Sequence, residues 1–258
     1  MTQPSAASRY HHGDLRTTLL RAAETHIALE GTERLSLRAL AREAGVSATA
    51  PYRHFDDRQA LLVALATEGF EELAVVNTLI HRDFGHEPIP IQLLQCGLAY
   101  VRYAEANQVK YLLMFGDVVG DFSPYPELVD ASERAFAPLA ALLRSGLDAG
   151  LIVPLDFHTL AGMTWASVHG VASLLLKGAR GSEGLAAQRA EPRRAIAALG
   201  RHREAALAQM FAGFFQCPQA RTMLEQIASQ NARLGEGKAH GTCDNAAHCA
   251  LRLGRPGA

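Results

Sequence analysis

Ala44-Gly-Val-Ser-Ala-Thr-Ala-Pro-Tyr-Arg-His-Phe55 is the stretch on which the reading of this chain turns. Gly45 follows a short run with helical spacing, Leu37–Ala44, and supplies the positive φ that a tight turn between helices requires. Val46 is the apolar residue that fills the angle between two short helices. Ser47 is of the type that caps the second, as Ser36 is for the first. Short helix, glycine, capped short helix is the pattern of a helix-turn-helix. The third helix is expected to run from Ser47 to about Phe55, with Val46, Pro51 and Phe55 inward. Ala48, Thr49, Ala50, Tyr52, Arg53 and His54 are then left facing out. Pro51 has no N–H to close the first intrahelical bond onto Ser47, so a loosened helix start is expected.

The rest of the chain reads as helix around this motif. Asp14–Glu30 carries Leu15, Leu19, Ala22, Ala23, His26 and Ile27 at helical spacing and stops at Gly31. A fourth helix starts at Asp56 or Asp57. Beyond about His86–Pro90 come Ile91–Asn107, Val109–Phe115, a loop over Gly116–Pro126, Glu127–Ala149, Asp156–Lys177, a linker over Gly178–Pro192, Arg193–Gln216 and Gln219–Arg233. No sheet is required. The expected class is all-α: a flexible arm (1–13), a three-helix DNA-binding bundle (14–60), a larger helical effector-binding and dimerisation domain (61–234), and a disordered tail (235–258).

Asp156–Lys177 is apolar nearly all round, so it needs cover on more than one side, from its own core and from a second subunit. Leu207, Met210, Phe211, Phe214 and Phe215 form an i, i+3, i+4, i+7, i+8 stripe. That stripe reads either as core or as a dimer interface. Trp165 and His169 lie one turn apart on one face. They are candidates to line an effector cavity with Tyr103, Tyr111, Met114 and Phe115, or else to be core packing with a satisfied histidine.

The net charge of −1 over 258 residues does not advertise a nucleic-acid binder. Locally the balance differs: Arg34, Arg38, Arg42, Arg53 and His54 stand against one acid, Glu43, between residues 34 and 55. Such a surface supplies non-specific affinity for DNA. The methyl groups of Ala48, Thr49 and Ala50 suit thymine methyls, and Arg53 is the one side chain there able to bond a base bidentately. The arm Arg9-Tyr10-His11-His12 is a candidate for a groove or phosphates. The 48% hydrophobic composition is that of a globular protein. Met1–Tyr10 has no apolar stretch, and the longest apolar segment, around Leu160–Leu176, is broken by Thr164, Ser167, His169 and Gly170. A cytoplasmic protein with reduced cysteines and no membrane association is expected.

An enzyme is the contrasting class. No Gly-rich phosphate loop, Ser elbow or HExxH occurs. His240-x-x-Cys243 and His248-Cys249 have metal-ligand residue types, but no apolar shell surrounds them to hold a geometry. No catalytic residue, cofactor or metal is therefore assigned. Control by a protein partner is the other alternative: a cavity in the larger domain argues against it, and a solid core for it.

Over Tyr10–Glu72 the sequence, above all Ala44 to Leu62, resembles the DNA-binding domain of the TetR family of bacterial transcriptional regulators. Trp165-Ala-Ser-Val-His169-Gly170 resembles the Trp…His-Gly signature of one ligand-domain subclass, and Ala106–Gly116 its short mid-domain helix. The resemblance implies an all-helical homodimer on a palindromic double-stranded operator, with repression relieved by a small-molecule effector. It places Ala48, Thr49 and Ala50 where base edges are read. Tyr52, His54, Ser36 and Arg58 then sit where phosphates are gripped, and Ser47 and Arg53 complete the expected DNA-binding set.

Overall fold

The computed structural model describes residues 15–180 and 191–235. The arm at Arg9–His12, the tail histidines and cysteines, and most of the 178–192 linker lie outside them. Ten helices carry the described chain. The head comprises α1 (Leu15–Glu30), α2 (Leu37–Glu43) and the first turns of α3 (Arg58–Phe84). The body holds the rest of α3 with α4 (Ile89–Ala106), α5 (Gln108–Phe115), α6 (Pro126–Asp148), α7 (Phe157–Arg180), α8 (Glu191–Arg201), α9 (Arg203–Ala212) and α10 (Pro218–Gly235). The only β pairing among the described residues is one isolated bridge, Ile152 to Phe215.

α3 crosses the boundary expected at 60/61. Asp57 caps it, its Oδ1 accepting from the Ala60 N–H at 2.7 Å, and no glycine or proline interrupts the helix between head and body until Gly69. Leu61, Leu62 and Leu65 are fully buried and join Leu19, Leu40 and Phe55 of the head to the body in one apolar cluster. Gly69 permits the close seating of α5: a Cβ there would lie 2.7 Å from Met114 Sδ and 3.2 Å from Lys110 Cβ. α4 runs through the middle of the body, touching α3, α5, α6, α7, α9 and α10.

The helix expected over Arg193–Gln216 is two helices, parted at His202, and α9 ends at Ala212. Phe214 and Phe215 fall in the turn beyond it, where Val153 N–H donates to the Phe214 carbonyl at 2.9 Å and Gln216 N–H to that of Leu151 at 3.0 Å. The stripe considered as a dimer interface is core instead. Leu207, Phe211 and Phe215 are fully buried and Phe214 nearly so, inside this chain's own fold; Met210 alone is exposed. Helical periodicity marks a face to be buried but does not say by which chain. The face of α7 left open carries Gly162, Met163, Ala166 and Leu174. Phe157–Gly178 is long and apolar enough to span a bilayer by composition, yet 44% of that window is buried against the core.

Candidate nucleic-acid interface and ligand cavity

The head is built by local signals. Ser36 caps α2, its Oγ accepting from the Ala39 N–H at 3.2 Å, which leaves the hydroxyl proton free to meet a phosphate. α2 ends in a Schellman turn: Val46 N–H reaches the Ala41 carbonyl at 2.9 Å, Gly45 N–H that of Arg42 at 3.2 Å, and Gly45 adopts φ +68°.

The third helix departs from expectation. Residues 47–50 form turns, and only Pro51–Arg53 is helical, as a single 3-10 turn. Ala50 N–H bonds Ser47 O at 3.0 Å and Arg53 N–H bonds Ala50 O at 3.2 Å, both i to i−3. Pro51 cannot supply the i to i−4 bond that would widen the turn, so its effect exceeds a loosened start. Nor does the Ser47 side chain cap this segment; its hydroxyl lies 3.3 Å from that of Thr49. The facing pattern nonetheless follows the sequence. Pro51 and Phe55 are buried and Val46 half-buried, whereas Ser47, Ala48, Thr49, Tyr52, Arg53 and His54 are exposed and Ala50 partly so.

Arg58 turns inward. Its guanidinium donates to the Thr32 carbonyl at 2.6 Å, and it is half-buried, so it ties the start of α3 to the turn after α1. A side chain committed in this way is a scaffold member rather than a phosphate grip. Arg34 is held by Glu30 at 2.6 Å. Arg38, Arg42 and Arg53 are exposed and form no ion pair among the described residues, which leaves them as the cationic surface of the head. Among those residues no group of His, Cys, Asp and Glu is placed to hold a metal.

The body contains a cavity of about 620 Å³, within the range of roughly 300–1,000 Å³ typical of small-molecule sites. Helices α3, α4, α5, α6, α7 and α9 wall it, with aromatic side chains prominent: Phe70, Phe115, Phe122, Phe136, Trp165 and Phe211. Of the expected effector residues, Met114, Phe115 and Trp165 line it. Tyr103 does not: its hydroxyl is buried and donates to the Gly69 carbonyl at 2.8 Å, with Glu72 Oε2 at 3.2 Å. Tyr111 and His169 stand one layer behind the wall, the tyrosine hydroxyl 2.8 Å from His169 Nδ1.

Tyr100, which sequence reasoning passed over, joins the wall to that layer. Its hydroxyl accepts from Trp165 Nε1–H at 3.3 Å and lies 3.1 Å from His169 Nδ1 and 3.5 Å from the Tyr111 hydroxyl. Burial raises the Tyr100 pKa far above the usual phenol range, and burial likewise lowers that of His169, so the cluster is held neutral. The available signal was Gly97, three residues before Tyr100. A Cβ there would meet Phe211 at 2.9 Å and Val168 at 3.2 Å, which marks the crowded face of α4.

Below the cavity lies a charge cluster. Lys110 of α5 is buried, with Nζ 2.5 Å from Glu72 Oε1 and 3.5 Å from Glu68 Oε2, both on α3. Burial alone would lower its pKa, but Glu72, Glu68 and Glu24 of α1 outweigh this and raise it.

Comparison with known proteins agrees with this architecture. Residues 19–65 match the model for bacterial regulatory proteins of the tetR family, and residues 93–199 match a tetracyclin repressor-like C-terminal domain. A protein of unknown function from Rhodococcus sp. RHA1 is 32% identical, with 81% of this chain and 100% of that one aligned at a TM-score of 0.62. A TetR family protein from Vibrio parahaemolyticus shares the fold at 24% identity and TM-score 0.55, over 78% of this chain and 99% of that one. The TetR family transcriptional regulator PfmR from Thermus thermophilus shares it at 18% and 0.52, over 70% and 93%. No curated protein matches the sequence. With both head and body matched and a 32% identical relative aligned over its whole length, the chain belongs to the TetR family of DNA-binding transcriptional regulators.

Proposed function

We propose that the protein represses transcription as a homodimer on a palindromic operator and leaves it when a small molecule fills the cavity. The position of α5 carries this reading. One short helix walls the cavity through Met114 and Phe115, and through Lys110 grips the helix that begins in the head. A ligand that displaces Met114 therefore shifts a helix locked by ion pairs to α3, and the spacing of two heads changes with it. In the head, Ala48, Thr49 and Ala50 meet bases with Arg53, while Ser36, Ser47, Tyr52 and His54 position the backbone. The open face of α7 is the dimer surface, since it offers small and apolar residues from Gly162 to Leu174. The cavity favours a ligand over a protein partner as the controlling signal. The reading needs no catalytic group, metal or cofactor and places the protein in the cytoplasm.

Footprinting with the purified protein on genomic fragments tests the reading. A site with two-fold symmetry is expected, and Tyr52→Ala or Arg53→Ala should weaken binding at least about tenfold without altering the helical signal. An asymmetric site, or a Tyr52→Ala protein that binds as well as the parent, would overturn it.

A further inference from the structure

Most hydrogen-bond donors at the cavity wall already have an acceptor. Asn77 Nδ2–H donates to the Ala135 carbonyl at 2.8 Å, Ser132 Oγ–H to Val129 O at 2.7 Å, and Thr164 Oγ1–H to Leu160 O at 2.9 Å. Trp165 Nε1–H is given to Tyr100. The Cys96 thiol, pushed up to about 11 by burial, is a weak donor. Tyr100 differs. A neutral imidazole offers one lone pair, and at His169 Nδ1 the Tyr111 hydroxyl reaches it at 2.8 Å against 3.1 Å for Tyr100. With the His169 proton on Nε2, and Tyr111, which also pairs with Ser173, donating to Nδ1, the Tyr100 proton keeps only the Tyr111 oxygen at 3.5 Å, the limit of a hydrogen bond. One well-positioned donor at the wall thus lacks a good acceptor.

Charge is also missing. Among the described residues no lysine, arginine, aspartate or glutamate lines the cavity, and its one histidine, His158, is exposed to solvent. A carboxylate or ammonium drawn into such a space would lose its hydration without a partner, at a cost a neutral molecule does not bear.

We propose that the ligand is an uncharged, mostly apolar molecule that presents one hydrogen-bond acceptor, such as a ketone, ester or ether oxygen, to the hydroxyl of Tyr100. The inference rests on the cavity being the effector site. The aromatic walls supply most of the affinity, and Tyr100, backed by Trp165, His169 and Tyr111, sets the orientation of the bound molecule.

Four probes on one skeleton separate the terms: para-acetylbiphenyl, para-ethylbiphenyl, biphenyl carboxylate and biphenylmethylammonium. Each is titrated calorimetrically into the full-length protein and its Tyr100→Phe variant, with Trp165, the single tryptophan of the chain, as a fluorescence reporter. On the parent the ketone should bind about threefold to tenfold tighter than the ethyl compound, the worth of one neutral hydrogen bond. Both ions should bind at least about tenfold more weakly than the ethyl compound. Tyr100→Phe should erase the gap between ketone and ethyl compound while leaving the ethyl compound's affinity unchanged. Equal affinities on the parent, a preference for either ion, or a gap that survives in Tyr100→Phe overturns the proposal while the cavity reading stands. If no probe gives heat or moves the Trp165 signal, the cavity reading fails and the proposal falls with it. The ranking on the parent decides the matter even should the variant prove less stable.

Discussion

Replacing Lys110 by methionine removes one charge and keeps the alkyl volume, so it isolates the electrostatic role of the cluster beneath the cavity. Lys110 is buried against carboxylates of α3 at 2.5 Å and 3.5 Å, with Glu24 of α1 also acting on it. Stripping one member from a fully buried ion pair costs about 3–5 kcal/mol. Here the glutamate side chains are 39% exposed, and water recovers part of that loss, so about 2–3 kcal/mol is expected. The pH dependence follows from the directions of the shifts. The folded lysine pKa lies above its unfolded value, so its contribution is complete below the ordinary lysine range and fades only as pH rises through the folded value. The variant's deficit is therefore whole near neutrality. Glu24 is raised, chiefly by burial, against the lowering pull of Lys110. A carboxyl raised in the fold binds its proton more tightly folded than unfolded, so its contribution grows as pH falls toward and below that folded value. Without Lys110 that rise is steeper, so the deficit should shrink on acidification. Urea unfolding followed by circular dichroism, at one fixed protein concentration and two pH values, measures both quantities. A variant within about 0.5 kcal/mol of the parent at neutral pH, or a deficit that grows on acidification, refutes the reasoning.

Phe211→Ala should lower unfolding stability by about 3–5 kcal/mol, since a fully buried ring leaves a cavity. Met210→Ala, one residue away and exposed, should stay within about 1 kcal/mol. A Phe211→Ala protein that loses self-association but keeps its urea midpoint would return that residue to an interface. Leu174→Glu on the open face of α7 should yield a folded monomer by sedimentation velocity, and an unchanged dimer would move the interface elsewhere. Gly45→Ala should cost roughly 1–2 kcal/mol through backbone strain at φ +68° alone, because nothing lies within 4 Å of the added Cβ. Gly146→Ala should cost about 1–3 kcal/mol for another reason: its Cβ would collide with Ile152 Cδ1 and lie 3.0 Å from Cγ1, so the urea midpoint should recover in Gly146→Ala/Ile152→Val if the collision is the cause.

The head was largely legible because its determinants are local. The Ser36 cap, the Gly45 turn and the inward spacing of Val46, Pro51 and Phe55 all act within a few residues. Pro51 was read correctly as a missing donor, but its full consequence depends on the next bonds along the chain. Arg58 misled for the opposite reason: an arginine at a helix start suits a phosphate equally well, and only the carbonyl of Thr32, 26 residues away, claims it.

The amino-acid sequence by itself determined what short-range chemistry can determine: most helices nearly in place, though not the 3-10 turn at Pro51–Arg53 or the break at His202, the turn that makes the reading head, and which residues must be buried. Tertiary structure decided who buries them and what they enclose. The apolar stripe from Leu207 to Phe215 has the period of an interface and of a core alike, and the fold assigned it to the core. Tyr103 and Tyr100 are three residues apart on one helix, yet one is spent on the Gly69 carbonyl and the other faces the cavity. That difference arises from partners 31 and 65 residues distant, Glu72 and Trp165, which no local pattern can bring into view.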